Sequence, residues 1–258
     1  MNGITYSWLC LSVLAFGIAH AAIPETWTAA KNIADDAIYN QQRTTLYCGC
    51  SYHSDNDSDG SGDIDGVKCG LAGVSKWKKY RDEIQWEHIV PAALMPVGSF
   101  SCWTNKALFP QYASVSSGRK CCESISLSGK AMMFDLHNLA PSAAQLNQYR
   151  RDNLYGEVSE EDAYEGFGER CNAKDAGEVF EPPTCKKGDV ARVWFYMEMS
   201  HGVNISDEQR LMFQRWSEAD PVSPWESMRN ALIKEKQGNS NPFVEGITPD
   251  PSGACTWE

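Results

Sequence analysis

The chain has 258 residues, 42% of them apolar and 22% charged, with nine Trp. This composition excludes a disordered, collagen-like or low-complexity chain and can build a sizeable core in one domain or two. A formal net charge of −11 excludes a surface that is basic throughout, so any polyanionic partner must meet a local basic cleft.

Trp8 to Ile18 is an apolar run too short to span a bilayer, followed by Ala19-His20-Ala21, a small-x-small cleavage site. Residues 1–21 therefore read as a secretory signal, although no Lys or Arg precedes the run. No later stretch is long and apolar enough for a membrane span. The expectation is a secreted or periplasmic monomer with no membrane contact. Removing the signal takes Cys10 and leaves nine cysteines: Cys48, Cys50, Cys69, Cys102, Cys121, Cys122, Cys171, Cys185 and Cys255. So many in an exported chain imply disulfides. Nine is odd, so at least one thiol is unpaired or pairs between molecules. The adjacent Cys121 and Cys122 either serve different partners or leave one over. Zinc is a poor alternative, because no C-x₂-C pair is present.

Along the mature chain, Trp27, Ala30, Ile33, Ala34, Ala37 and Ile38 recur at helical spacing over 26–40. Residues 48–75 form a loop rich in Gly, Ser and Asp. Basic clusters stand at Lys76, Lys78, Lys79 and Arg81 around Trp77 and Tyr80, at Arg119 and Lys120, and at Arg150 and Arg151; each could be no more than a solvated face. Ile84, Trp86, His88 and Val90 alternate with polar or charged positions, a strand that ends at Pro91. Pro141 and Ser142 open a helix to about Asn153. Asp189 is an N-cap candidate before the Val190, Val193, Trp194, Met197 stripe. Ser206 with Gln209 and Ser223 with Glu226 have capping-box spacing, Pro224 suits a first helical turn, and Gly238 closes the last helix. These elements predict a helix-rich, disulfide-stapled α+β fold, with 22–258 as one domain.

Gln85-Trp86-Glu87-His88-Ile89-Val90-Pro91, read with Asp135 to Pro141 and with Gln145-Leu146-Asn147-Gln148, supplies a carboxylate, an imidazole and a carboxamide. Mg²⁺ prefers oxygen ligands and needs only one or two protein groups, and a histidine can take a proton from water at neutral pH. A metal and a base suffice to hydrolyse a phosphodiester. A buried core histidine is the plainer alternative for His88, which shares a face with Ile84 and Trp86. In a regular strand Glu87 and His88 point to opposite faces, so joint action calls for a bend or bulge before Pro91. On the following helix Asn147, Arg150 and Arg151 share one side. The segment 53–66 is an acidic insertion in which Asp55, Asp57, Asp59 and Gly60 have the spacing of a Ca²⁺ loop. Its twelfth position is Gly66, where an EF-hand has Glu, and flanking helices are not evident. Ca²⁺ binding and a simple acidic insertion both stay open.

Several segments together resemble the endonuclease I family of bacterial periplasmic and secreted nucleases. They are Tyr47-Cys48-Gly49-Cys50, Glu87 to Pro91, Gly118-Arg119-Lys120, Asp135 to Pro141, Asn147, Ala191 to Met197 and Gly238 to Val244. The likeness is collinear from about residue 25 to 245. Asn138, Pro141 and Leu146-Asn147-Gln148 are also similar to the Serratia-type nonspecific nucleases, which share a ββα-metal (His-Me finger) site. The resemblance implies His88 as the general base, and Glu87 and Asn147 as ligands of one Mg²⁺. It implies Arg119 on the phosphate, with Lys120, Arg150 and Arg151 along the substrate path. Asn138 is the rival ligand; both families put theirs at the Leu-Asn position, so Asn138 and His137 read as structural. The implied activity is cleavage of DNA, and of RNA, to 5′-phosphate ends with little base preference. The competing class is a catalytically silent extracellular Ca²⁺-binding or structural protein on the same scaffold. A histidine base also implies a rate that falls as pH drops through the histidine range.

Overall fold

The computed structural model describes residues 23–55, 62–163, 165–167 and 171–257. The expected signal segment, with Cys10, lies outside them, as do Asp57, Asp59 and Gly60 of the candidate Ca²⁺ loop. Helix α1 (Trp27–Ile33) starts at Thr26, whose hydroxyl accepts from the Ala29 N–H, and it runs on into a π-helical turn over Ala34–Ile38. That continuation matches the apolar spacing of the sequence and buries Ala30, Ala34 and Ile38. The acidic segment lies between β1 (Tyr52–Ser54) and β2 (Gly62–Ile64), which pair antiparallel. Its flanks are therefore a hairpin and not the two helices of an EF-hand.

Strand β3 (Ile84–His88) pairs antiparallel with β4 (Leu139–Ala143), in a register from Ile84–Ala143 to His88–Leu139. The pairing is regular through His88, and the chain bends at Ile89 and Val90, so the bend that joint action of Glu87 and His88 calls for lies between the strand end and Pro91. Pro141 and Ser142 belong to β4, not to a helix start. Proline costs little here, because its role is that of an acceptor: the Pro141 carbonyl takes the Leu46 N–H at 2.7 Å. The chain turns directly from β4 into α5 (Ala144–Arg150), with no side-chain cap, and α5 packs on both strands. Helices α2 (Ser101–Thr104), α3 (Gly118–Ile125) and α4 (Leu127–Met133) lie between the two strands in sequence. Beyond α5 stands a small sheet in the order β5 (Leu154–Tyr155), β8 (Val179–Glu181), β7 (Lys174–Asp175), β6 (Glu165–Gly166).

The C-terminal part is helical: α6 (Lys187–His201), α7 (Asp207–Ala219) and α8 (Pro224–Gln237). Ser206 and Gln209 form a reciprocal capping box. Ser223 caps α8 by accepting from the Glu226 N–H at 3.1 Å. The Glu226 carboxylate does not return the bond, because it makes a two-pronged pair with Arg192 at 2.6–2.7 Å. Gly238 ends α8 at φ 91°, the left-handed geometry that suits glycine. Asp189 is not the α6 cap. It sits inside the first turn and pairs with Lys186 at 2.8 Å and Arg192 at 3.3 Å. A charged partner on either side outbids a capping role for a buried carboxylate.

Four disulfides staple these parts: Cys48–Cys171, Cys50–Cys69, Cys102–Cys122 and Cys185–Cys255. The first spans 123 positions, and in the chain-entropy view a loop of that size is worth about 4–5 kcal/mol. Adjacent residues of a helix project about 100° apart, so Cys122 reaches Cys102 while Cys121 stays a buried free thiol. Under denaturing, non-reducing conditions, titration of a chain lacking residues 1–21 should count one thiol, and none while the chain is folded. Two or more would contradict this pairing.

Candidate active site

His88 and Glu87 leave β3 on opposite faces, as a regular strand requires, yet both border one recess at its end together with Arg119, Asn147, Arg150 and Arg151. The strand terminates there, so its two faces open into the same space. His88 is 8% exposed. Its ring stacks on Trp27 at 5.0 Å, and its Nε2 lies 2.7 Å from the Met133 carbonyl. A carbonyl only accepts, so Nε2 carries the hydrogen and Nδ1 is left with a lone pair. Burial, the charge of Arg119 and that of Arg150 all disfavour imidazolium, and despite the Met133 bond they lower the His88 pKa to about 3.

Glu87 is 2% exposed. Its Oε1 accepts from the Tyr47 hydroxyl at 2.9 Å and faces Arg150 Nε at 3.4 Å. Burial raises its pKa, against the pull of Arg150 and Tyr47. Tyr47 in turn bonds to Tyr155. These tyrosines come from segments far from Glu87 in sequence and had no local signal there; nor did Trp27 or the Met133 carbonyl. Asn147 donates its Nδ2 to Gln85 Oε1 at 3.0 Å, and Gln148 donates to the same oxygen at 2.9 Å. Gln85 thus fixes the amide orientation, with the Asn147 Oδ1 as the remaining oxygen of the side chain.

Arg119 stands in the first turn of α3, its Nε 3.1 Å from Glu123 and its guanidinium 5.5 Å from the Trp27 ring centre. Gly118 lets the start of α3 pass close to the Trp103 backbone: a Cβ there would lie 2.0 Å from the Trp103 carbonyl oxygen. Lys120 pairs with Glu123 at 2.9 Å and borders a neighbouring recess, not this one. Arg150, expected on the substrate path, is fully buried. Its guanidinium donates to the carbonyls of His88, Ile89 and Arg151 and lies 4.5 Å over Tyr155. A buried cation must be solvated by the protein, so Arg150 braces the end of β3 and does not reach out to a ligand. Arg151 is exposed at the C-cap of α5, at φ 49°, and therefore off the helix face that the sequence placed it on.

Asn138 is fully buried and exchanges both amide atoms with the backbone of Val90, at 2.7 and 2.9 Å. His137 is buried beside Asn239 and the Asp135 carboxylate. Both therefore belong to the packing. Among the described residues no group of three or more His, Cys, Asp or Glu converges as a metal cage. One carboxylate and one carboxamide is a different donor set, suited to a hard cation that keeps most of its waters, and Glu87 and Asn147 on one recess fit it.

A folded-state histidine pKa of about 3, below the ordinary 6.5, makes the unfolded chain the stronger proton binder between those values. Stability from this ring is complete above pH 6.5 and is lost as pH falls toward 3. At pH 5 the loss is about 2 kcal/mol. Denaturant melts at pH 7 and pH 5 should show His88→Gln losing less stability than the wild type by roughly that amount. Equal losses would refute the neutral buried ring.

The Endonuclease I family model matches residues 26–247. An extracellular deoxyribonuclease of Aeromonas hydrophila is 30% identical over 92% of this chain and 95% of its own length. The endonuclease-1 of Buchnera aphidicola subsp. Acyrthosiphon pisum is 32% identical over 80% of this chain and 76% of its own. A periplasmic deoxyribonuclease of Aeromonas hydrophila is 28% identical over 81% of each chain. The four disulfides accord with such relatives, and no helix among the described residues is long and apolar enough to cross a membrane. The protein belongs to the endonuclease I family and is a secreted or periplasmic nuclease.

Proposed function

We propose that the protein is a Mg²⁺-dependent endonuclease that cleaves DNA, and RNA as well, with little base preference and leaves 5′-phosphate ends. The arrangement of β3, β4 and α5 is read as a ββα-metal core. The observation that carries this reading is the fixed tautomer of His88: Nε2–H is held by the Met133 carbonyl at 2.7 Å, which leaves Nδ1 as the basic atom of a residue that borders the recess. His88 Nδ1 takes the proton from the attacking water. Glu87 and Asn147 would hold Mg²⁺ through their oxygens. When bound, the cation would supply positive charge against the charge that builds on the phosphate and its leaving group. With its Nε committed to Glu123, Arg119 keeps two Nη groups for the phosphate as its charge builds. Arg150 contributes indirectly, by holding the His88 and Ile89 carbonyls and balancing Glu87. Contacts to phosphate and to one proton carry no base information, which accounts for low sequence preference.

Supercoiled plasmid incubated with the protein in Mg²⁺ should be nicked, linearised and then degraded, and it should stay intact in EDTA. Intact plasmid in Mg²⁺ would favour the silent-scaffold reading. Cleavage that persists in EDTA would remove the metal from the mechanism.

A further inference from the structure

The basic cluster around Trp77 takes no part in the reaction above. Two of its features set it apart from a solvated face. Trp77 and Arg151 both have left-handed backbones, at φ 60° and φ 49°, a region that bulky side chains rarely occupy and that tends to mark functional positions. These two residues also meet: the Arg151 guanidinium lies 5.2 Å from the Trp77 ring centre. The segment is clamped by α5, whose Gln145 amide donates to the Lys76 carbonyl and whose Tyr149 hydroxyl accepts the Lys76 N–H at 3.2 Å. The same helix carries Asn147. Lys78 and Lys79 are exposed and have no ion pair among the described residues, whereas Arg81 is paired with Asp82 at 2.9 Å.

Trp77 is half-buried against the core with the Arg151 guanidinium over its ring, and beside it stand the exposed Lys78 and Lys79, the latter with its ammonium 4.5 Å from the Tyr80 ring. That chemistry suits an unpaired nucleobase with its flanking phosphates, since every base has a π-face and stacking needs no sequence match. A base inside a duplex is already stacked and cannot use it. From Asn147 to Arg151 the helix rises about 6 Å. The indole lies 5.2 Å from the Arg151 guanidinium, beside the C-terminal end of the helix that carries Asn147.

We propose that Trp77, capped by Arg151 and flanked by Lys78 and Lys79, is a stacking platform for an unpaired base of a strand bound alongside the candidate active site. This gives the enzyme a preference for single-stranded stretches. The preference in cleavage rests on the nuclease reading above; the binding does not. Fluorescence anisotropy in EDTA, with a fluorescein-labelled twelve-nucleotide thymidine strand and the matching duplex, therefore tests the platform without catalysis. Trp77→Ala should weaken binding of the single strand about tenfold and that of the duplex less than about twofold, with Trp77→Phe restoring most of the loss. An equal effect on both forms, or none on the strand in a folded variant, overturns the platform. Should Trp77→Ala fail to fold, the wild type decides. It should bind a strand of abasic nucleotides of the same length about tenfold more weakly than the thymidine strand, and equal binding overturns the proposal. If the wild type then cleaves neither DNA in Mg²⁺, the nuclease reading has failed on its own, whatever the anisotropy shows.

Discussion

Replacing His88 with alanine should lower the rate of plasmid cleavage by about 10²-fold or more, the usual worth of a general base, while DNA binding in EDTA is unchanged. The ring is positioned by two contacts that do not involve substrate, the Trp27 stack and the Met133 carbonyl. Alanine loses both, so rates must be compared per folded molecule. His88→Gln is the control for shape, because its amide can still donate to Met133 but offers no basic nitrogen. Turnover that survives in either folded variant would place the base elsewhere. The pH profile adds a second check. Sequence alone places the acid limb of the rate in the ordinary histidine range. Burial and the charges of Arg119 and Arg150 keep His88 neutral to about pH 3, so the limb that His88 imposes on kcat/KM lies well below 6.5. A limb centred at 6.5 would report a different group.

Substitution of the two oxygen donors should have the second largest effect. Asn147→Ala should raise the Mg²⁺ concentration for half-maximal cleavage, and lower the maximal rate, by about tenfold or more, since neighbours and ligands of a metal cost 10–100-fold when removed. It is the cleaner of the two variants, because Asn147 is only half-buried and, among the described residues, its side chain bonds only to the neutral Gln85. Glu87→Gln should weaken Mg²⁺-dependent cleavage more completely. It also strips the charge that faces Arg150 in the core, and breaking such a pair costs about 3–5 kcal/mol. Asn138→Ala is the contrast: it orphans the Val90 N–H and carbonyl, at about 1–3 kcal/mol each, and should cost stability with activity kept per folded molecule. Loss of cleavage in folded Asn138→Ala with an active Asn147→Ala would reverse the ligand choice.

Much of the element order was legible because it rests on local physics. The α1 stripe, the β3 alternation, the Ser206–Gln209 box and the Gly238 stop each depend on residues within a turn or two of one another. The misread elements share a cause. Pro141 and Ser142 look like a helix start in isolation, but β4 exists because β3 lies beside it and Leu46 takes the Pro141 carbonyl. Asp189 has a capping side chain, yet Lys186 and Arg192 claim it from within a buried cluster.

By itself the sequence determined the inventory: a histidine, one carboxylate, one carboxamide and several arginines in family order, an odd number of cysteines, and a net charge that forces any nucleic-acid contact into a local cleft. Only the tertiary structure decided how these groups divide the work. Which cysteine stays unpaired depends on which side of α3 faces Cys102. Arg119 and Arg150 are alike in sequence, but one has about a third of its side chain exposed and the other is enclosed among backbone carbonyls. The His88 tautomer follows from the Met133 carbonyl, 45 positions away. Identity and spacing set what a side chain can do; burial and the partners that long-range packing brings choose its charge state, its orientation and its access to solvent.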